Sequence, residues 1–386
     1  MNPWLAAARA VGSEIAARHA DDVDARARYP AEAMAALKKR KLLGILVPES
    51  EGGSGAGVAE VVSICHELGK HCASTAMIYA MHQIQVSCIV RHAGENPWLR
   101  AFLKRLADEQ LLLASATSEA GVDGDVRSSI CALDERRGRF TLVKQATVIS
   151  YGEESDAILV TARRTPQSPP SDQVIVVVPR AGVELRPLEA WNTLGMRGTC
   201  SKGHRLAAEG EMAQVIPVSF ADVSAQTMLP VSHLVWGAVW LGIATDALSR
   251  ARAYVRVEAK KRPGVSAPAG ARLASAANEL QSMKGNLIAC LRDYEAAIGS
   301  EYRLSAMSFA VAMNNLKIGT SLSVVKVVGE AMLICGLSGY RNDSPFSMGR
   351  HLRDAHSAAV MVSNDRIMAN NANLALALRD DPELLV

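Results

Sequence analysis

Apolar positions recur at helical spacing through residues 31–43, 58–68, 74–92 and 98–106. Pro3 and Pro30 sit where a first-turn proline costs no hydrogen bond. The basic run Lys38-Lys39-Arg40-Lys41 reads as a solvated helix end, Gly44 as a break, and residues 48–55 as a loop of turn formers. From Leu111 to about Val218 the period changes. Short β-rich runs at 140–143, 147–149, 157–162, 174–178 and 183–185 alternate with turns, and the proline-rich segment 163–172 reads as a surface loop between strands. Long helical runs return near Ser224 and break once, between Arg262 and Gly270. The pattern predicts a helical domain over 1–112, a β domain over 113–222 and a second helical domain over 223–386. A β block lodged between helical blocks predicts a groove at the junction, where ligand sites favour forming.

The chain has 386 residues, 49% apolar and 21% charged, enough for two or three globular units. Its 42 basic and 39 acidic residues leave a net charge of +3, too little to predict nucleic-acid or anionic-membrane partners. The apolar run 321–337 is interrupted by Lys326 and Glu330 and reads as a buried helix. No secretory pattern opens the chain, and none of the 7 cysteines forms a Cys-x-x-Cys pair. A cytoplasmic protein without disulfides or a metal is expected. Nicotinamide, P-loop, zinc-protease and serine-hydrolase motifs are absent, and His82 reads as a core histidine.

Four phrases at the junctions carry more. They are 42–49 followed by Gly52-Gly53-Ser54-Gly55, then 116–125 (ATSEAGVDGD), then 191–201 (WNTLGMRGTCS), then 334–340 (ICGLSGY) with Arg353-Asp354-Ala355 behind it. In order and spacing they resemble the acyl-CoA dehydrogenase family over nearly the whole chain. The resemblance implies an α+β chain: an N-terminal helical domain, a central β-barrel-like domain and a C-terminal four-helix bundle. It also implies bound FAD, a homodimer or homotetramer, an acyl-CoA or acyl-carrier-protein substrate, and electron-transfer flavoprotein as the electron acceptor. The implied reaction is α,β-dehydrogenation of an acyl thioester, in which a carboxylate takes the α-proton.

Residue by residue, the resemblance places Thr117 and Ser118 at the flavin ring and Val148-Ile149-Ser150 at the family's Trp-Ile-Thr/Ser phrase. Val148 replaces the stacking indole. Gly336 keeps the adenine-side loop, while Leu333 and Leu337 replace a glutamine and a glycine. Lys260 stands near the family's diphosphate-binding arginine, with Pro263-Gly264 replacing Phe-Gly; the run Lys260–Arg262 reads equally as a solvated helix end. Asn364 and Arg366 fall in the cofactor-side phrase after Arg353-Asp354-Ala355.

Both positions that carry the family's catalytic glutamate are altered. One is Val362 and the other is Ser232. A valine accepts no proton. Three readings follow: a dehydrogenase with a relocated base, His233 or Asp365; a flavin-dependent monooxygenase of the same fold, which needs no such carboxylate; or a redox-silent subunit of a hetero-oligomer. His233 reads also as a helix-terminus hydrogen bonder and Asp365 as a partner for Arg366. Trp236 and Trp240, one turn apart, floor an acyl pocket or simply pack the core. A purely helical scaffold protein is the remaining class, and absence of flavin would mark it.

Overall fold

The computed structural model describes residues 2–261 and 269–378. Six helices come first: α1 (Pro3–Val11), α2 (Ala17–Arg26), α3 (Ala31–Lys39), α4 (Val58–Gly69), α5 (Ala73–His92) and α6 (Pro97–Glu109). Asn2 and Asn96 cap α1 and α6 through their side-chain oxygens, each with proline at the next position. Helix α3 stops at Lys39, short of the 43 that composition predicts. The reason is tertiary: Tyr79, His82 and Gln83 on α5 all donate to the carbonyls of Leu42 and Leu43, at 2.9–3.2 Å. Those carbonyls are held in a buried loop and cannot continue a helix.

Seven strands follow: β1 (Leu113–Ala116), β2 (Asp134–Arg136), β3 (Arg139–Ile149), β4 (Ala157–Arg163), β5 (Gln173–Pro179), β6 (Val183–Pro187) and β7 (Lys202–Glu211). They make two sheets, ordered β1-β4-β5 and β2-β3-β7-β6; only β1–β4 is parallel. The runs 140–143 and 147–149 are one strand, β3, and the sequence pattern did not anticipate β2 or β7.

The last block comprises α7 (Phe220–Val223), α8 (Leu229–Lys261), α9 (Gly270–Ala297), α10 (Glu301–Leu304), α11 (Met307–Cys335), α12 (Leu337–Tyr340), α13 (Gly349–Val360) and α14 (Asn364–Ala375). Helices α8, α9, α11 and α13 pack into a C-terminal bundle. Helix α8 is the core of the molecule, packing on α4 and α5 on one side and on α9, α11 and α13 on the other. Both α8 and α11 are long and apolar enough to cross a membrane by composition. The apolar window of α8 is 83% buried inside the protein, and that of α11 is 44% buried.

Candidate active site

Strands β1 and β3 end side by side, and one serine joins them. The Ser118 hydroxyl accepts from the Val148 N–H at 3.1 Å and donates to the Val148 carbonyl at 3.2 Å. Behind this pair the β3–β7 register slips between Ala146 and Ile149, so Thr147 and Val148 leave the ladder as a bulge. Bulges re-aim side chains at sheet edges. Here Val148 is turned outward and is 39% exposed. Ile149 is buried, and Ser150 accepts from the Ser201 hydroxyl at 2.8 Å, which leaves its own proton free to donate. Thr117 and Ser118 are half-buried at the end of β1. The structure thus gathers all five β-domain residues that the resemblance assigns to the flavin. Their hydroxyl donors and acceptors around one apolar side chain fit a planar, polar-edged ring system. Ser118→Ala should weaken flavin binding about tenfold, read by fluorescence titration, because both backbone groups of Val148 lose their partner.

The loop leaving Ser118 is anchored from beneath. Glu119 is buried and accepts from the Ser129 hydroxyl (2.7 Å) and from the N–H groups of Ile130 (3.1 Å) and Cys131 (2.8 Å). The fully buried Lys144 ammonium on β3 lies 3.3 Å away and also donates to the Thr161 carbonyl at 2.8 Å. Burial raises the Glu119 carboxyl, but Lys144 and the three donors outweigh it and hold the group below the usual range.

The helical side carries the two base candidates, His233 and Asp365, and the two altered glutamate positions, Ser232 and Val362. His233 on α8 is buried, with Nδ1 against the Met313 carbonyl at 3.0 Å. Burial, and then the nearby Lys317 charge, push its imidazole down to about 3, so it is neutral and weakly basic at pH 7. Ser232 on α8 donates to the carbonyl of Met228, the residue just before that helix. Asp365 is exposed on the first turn of α14. Val362, in the turn before α14, is 50% exposed and left-handed, with φ 50°. Asn364 is turned inward, its amide spent on Lys317 and Ser321. Arg366 donates to the Asp123 carbonyl and packs so closely on Gly124 that a Cβ there would overlap its guanidinium. Trp240 is fully buried and Trp236 partly so; neither indole N–H has a partner.

Gly336 ends α11 at φ 58°, flanked by exposed Leu333, Leu337 and Tyr340. Lys260 is exposed at the end of α8, and the phrase it begins, through Arg262, Pro263 and Gly264, lies outside the described residues. His82 is a core residue: Nδ1 accepts from the Leu113 N–H at 3.0 Å, so Nε2 carries the proton given to Leu43. Sequence reasoning passed over Lys317, a buried ammonium on α11. Its signal was a lysine on the same helical face as Met313, Thr320 and Val324.

Two helical blocks flank a β domain whose hydroxyls gather at the strand ends, an arrangement that fits a flavoprotein oxidoreductase. The family profile "Acyl-CoA dehydrogenase, N-terminal domain" matches residues 4–110, and "Acyl-CoA dehydrogenase, C-terminal domain" matches residues 223–374. The chain belongs to the acyl-CoA dehydrogenase family. It is 25% identical over 378 residues to the probable acyl-CoA dehydrogenase fadE25 of Mycobacterium leprae, covering 95% of this chain and 92% of that one. It is also 25% identical over 235 residues to a dibenzothiophene monooxygenase of Mycolicibacterium goodii, covering 58% and 56%. The crystal structure of FMN-bound TdsC from Paenibacillus sp. A11-2 superposes with TM-score 0.83 at 18% identity, over 98% of each chain.

Proposed function

We propose that this flavoenzyme is a monooxygenase that uses reduced flavin and dioxygen, rather than an acyl-thioester dehydrogenase. One observation carries the reading: no proton acceptor of useful basicity occupies either base position. Removing an α-proton needs a base within hydrogen-bond reach and with a pKa near the working pH. Val362 has none, the Ser232 hydroxyl is committed to the Met228 carbonyl, His233 is held far too acidic, and Asp365 is exposed on α14. Bound reduced flavin supplies the electrons that activate dioxygen; one oxygen atom goes to the substrate and the other leaves as water. The chain's own residues hold the ring through Ser118 and Ser150 and shield it with Val148. Likeness to the dibenzothiophene monooxygenase and to FMN-bound TdsC supports the same reading and makes FMN as well as FAD a cofactor to test.

The full-length likeness to the mycobacterial acyl-CoA dehydrogenase favours the second reading, with an acyl-CoA or carrier-bound substrate and electron-transfer flavoprotein as acceptor. Exposed Leu322, Leu333, Leu337 and Tyr340 along α11 and α12 support a homo-oligomer in either case. The test is an anaerobic visible spectrum of the flavin-loaded protein titrated with a panel of acyl-CoAs. We expect the yellow colour to persist, and the chemically reduced protein to be reoxidised by air. Bleaching by any acyl-CoA would overturn the monooxygenase reading. Val362→Glu, which places a carboxylate at the usual base position, introduces bleaching under the second reading and leaves the colour unchanged under the first.

A further inference from the structure

Lys317 has no exposed surface, and among the described residues no carboxylate pairs with it. A buried ammonium must find acceptors, and this one spends its protons on a single turn. Nζ donates to the Val362 carbonyl at 2.5 Å and to Asn364 Oδ1 at 2.7 Å, and stands 5.9 Å from the centre of the Trp240 ring. Asn364 in turn donates to Ser321 Oγ at 2.9 Å, one helical turn along α11 from Lys317.

The turn so held is strained. Val362 is the one β-branched residue among the described non-glycine residues with positive φ. Such a conformation is a genuine outlier for valine and persists only where the surroundings impose it. Four residues after Val362, Arg366 crosses to the β domain and grips the Asp123 carbonyl, on the loop that begins at Ser118 and Glu119. A continuous path therefore runs from Lys317 through the turn to the β-domain loop that follows Ser118.

We propose that Lys317 is a positioning residue for flavin binding: it holds Val362 left-handed and Asn364 inward, so that Arg366 fixes the loop carrying Thr117 and Ser118. The inference rests on flavin binding at the ends of β1 and β3 and not on which reaction follows. The groups facing Lys317 leave the assignment intact. On α8 these are Trp240 and the neutral His233. In the turn Asp365 is exposed and Arg366 is engaged with Asp123. Glu279 on α9 binds Ser323 and Lys326, about two to three turns further along α11, and makes no bond to Lys317. Burial lowers the Lys317 ammonium to about 8.

The sign of the pH effect separates a positioning role from a merely structural one. As pH rises through about 8 the ammonium loses its proton, and charge-assisted hydrogen bonds become weaker neutral ones. The latch on the turn loosens. Between there and the ordinary lysine value the unfolded chain binds more protons than the folded one, so the contribution of Lys317 to global stability rises with pH. Flavin affinity and the Lys317 contribution to stability therefore move in opposite directions, so wild type is compared with Lys317→Met at each pH.

The experiment titrates FMN and FAD, by fluorescence, into the wild type, Lys317→Met, Lys317→Arg and the exposed-lysine control Lys326→Met from pH 6.5 to 9. Hydrogen exchange of residues 361–366 is followed in the flavin-free proteins. We expect wild-type affinity to fall about fivefold across this range. Lys317→Met should bind about tenfold more weakly at pH 7, with no pH step, faster exchange in the turn and an unchanged or higher melting temperature. Lys317→Arg, which keeps the charge, should recover part of the affinity, and Lys326→Met should match the wild type. Flavin affinity of Lys317→Met within twofold of wild type, or lost only in step with its melting temperature, overturns the proposal. So does a wild type that binds neither flavin. Should Lys317→Met fail to fold, Asn364→Ala removes the side-chain arm of the latch while leaving the charge and the Val362 bond, and unaltered flavin affinity there is equally fatal. Bleaching by acyl-CoA would sink the monooxygenase reading without touching this one.

Discussion

Glu119→Ala is expected to destabilise the protein by about 3–5 kcal/mol, because it strands a fully buried lysine and three donors at once. The charge of Lys144 then has only Thr161 for company, in surroundings that already lower its pKa. Lys144→Met should cost less, about 1–3 kcal/mol, since Glu119 keeps its three donors. Glu119→Gln should fall between the two, as an amide still accepts one or two of these bonds. Urea melts of the three variants give the order. There is a pH signature as well. The Glu119 carboxyl is held below its ordinary value, so its stabilising contribution is present above that value and is lost as pH falls through the lowered one. Acid weakening should therefore be shallower in Glu119→Gln than in the wild type. Equal costs for Glu119→Ala and Lys144→Met would contradict this account of the anchor.

Gly195→Ala is expected to cost about 3 kcal/mol or to prevent folding, because the added methyl would overlap the Arg353 carbonyl and the Asp354 N–H. Neither is a flexible side-chain end that can step aside. The surrounding loop is a knot. Trp191 donates to the Met196 carbonyl at 3.2 Å, and Thr199 to the same oxygen at 2.8 Å. Arg197 reaches the Asp24 carbonyl on α2 at 2.7 Å, and Met196 N–H donates to the buried Asp354 carboxylate on α13 at 2.7 Å. Thr193→Ala removes only one bond, to the Gly195 carbonyl, and should cost about 1 kcal/mol. A thermal melt of each variant, with and without flavin, separates the clash from the lost bond.

This knot explains how the chain could be read before it was seen. The phrase 191–201 pointed most specifically to the family, and the bonds just described tie it to α2 and α13. It is legible because packing three segments against one another tolerates few residue types. The cofactor-face serines were legible for a related reason: Ser118 must satisfy both backbone groups of a bulge. The helical side resisted. Asn364 looked like a cofactor contact by position, but a lysine 47 residues away turns it inward. Strand β7 was missed because its buried positions carry Gly203, Ala208 and Gly210, which have low strand propensity and are held by pairing with β3 and β6. The end of α3 was missed because α5 decides it. Local pattern placed the three blocks; long-range hydrogen bonds set the details that pattern cannot carry.

The bond from Arg353 to Asp24 spans 329 residues, and that from Asp354 to Met196 spans 158. During synthesis, at roughly 5–20 residues per second, α2 and the loop after β6 must wait on the order of tens of seconds before their fastener leaves the ribosome. Through that interval the Asp24 carboxylate has no arginine and the Met196 N–H no acceptor. The last helices thus act as the closing stitch of a garment sewn from the other end. A ribosome stalled before residue 350 should hold a chain whose first two blocks are easily nicked by protease, and release of about thirty more residues should make them resistant.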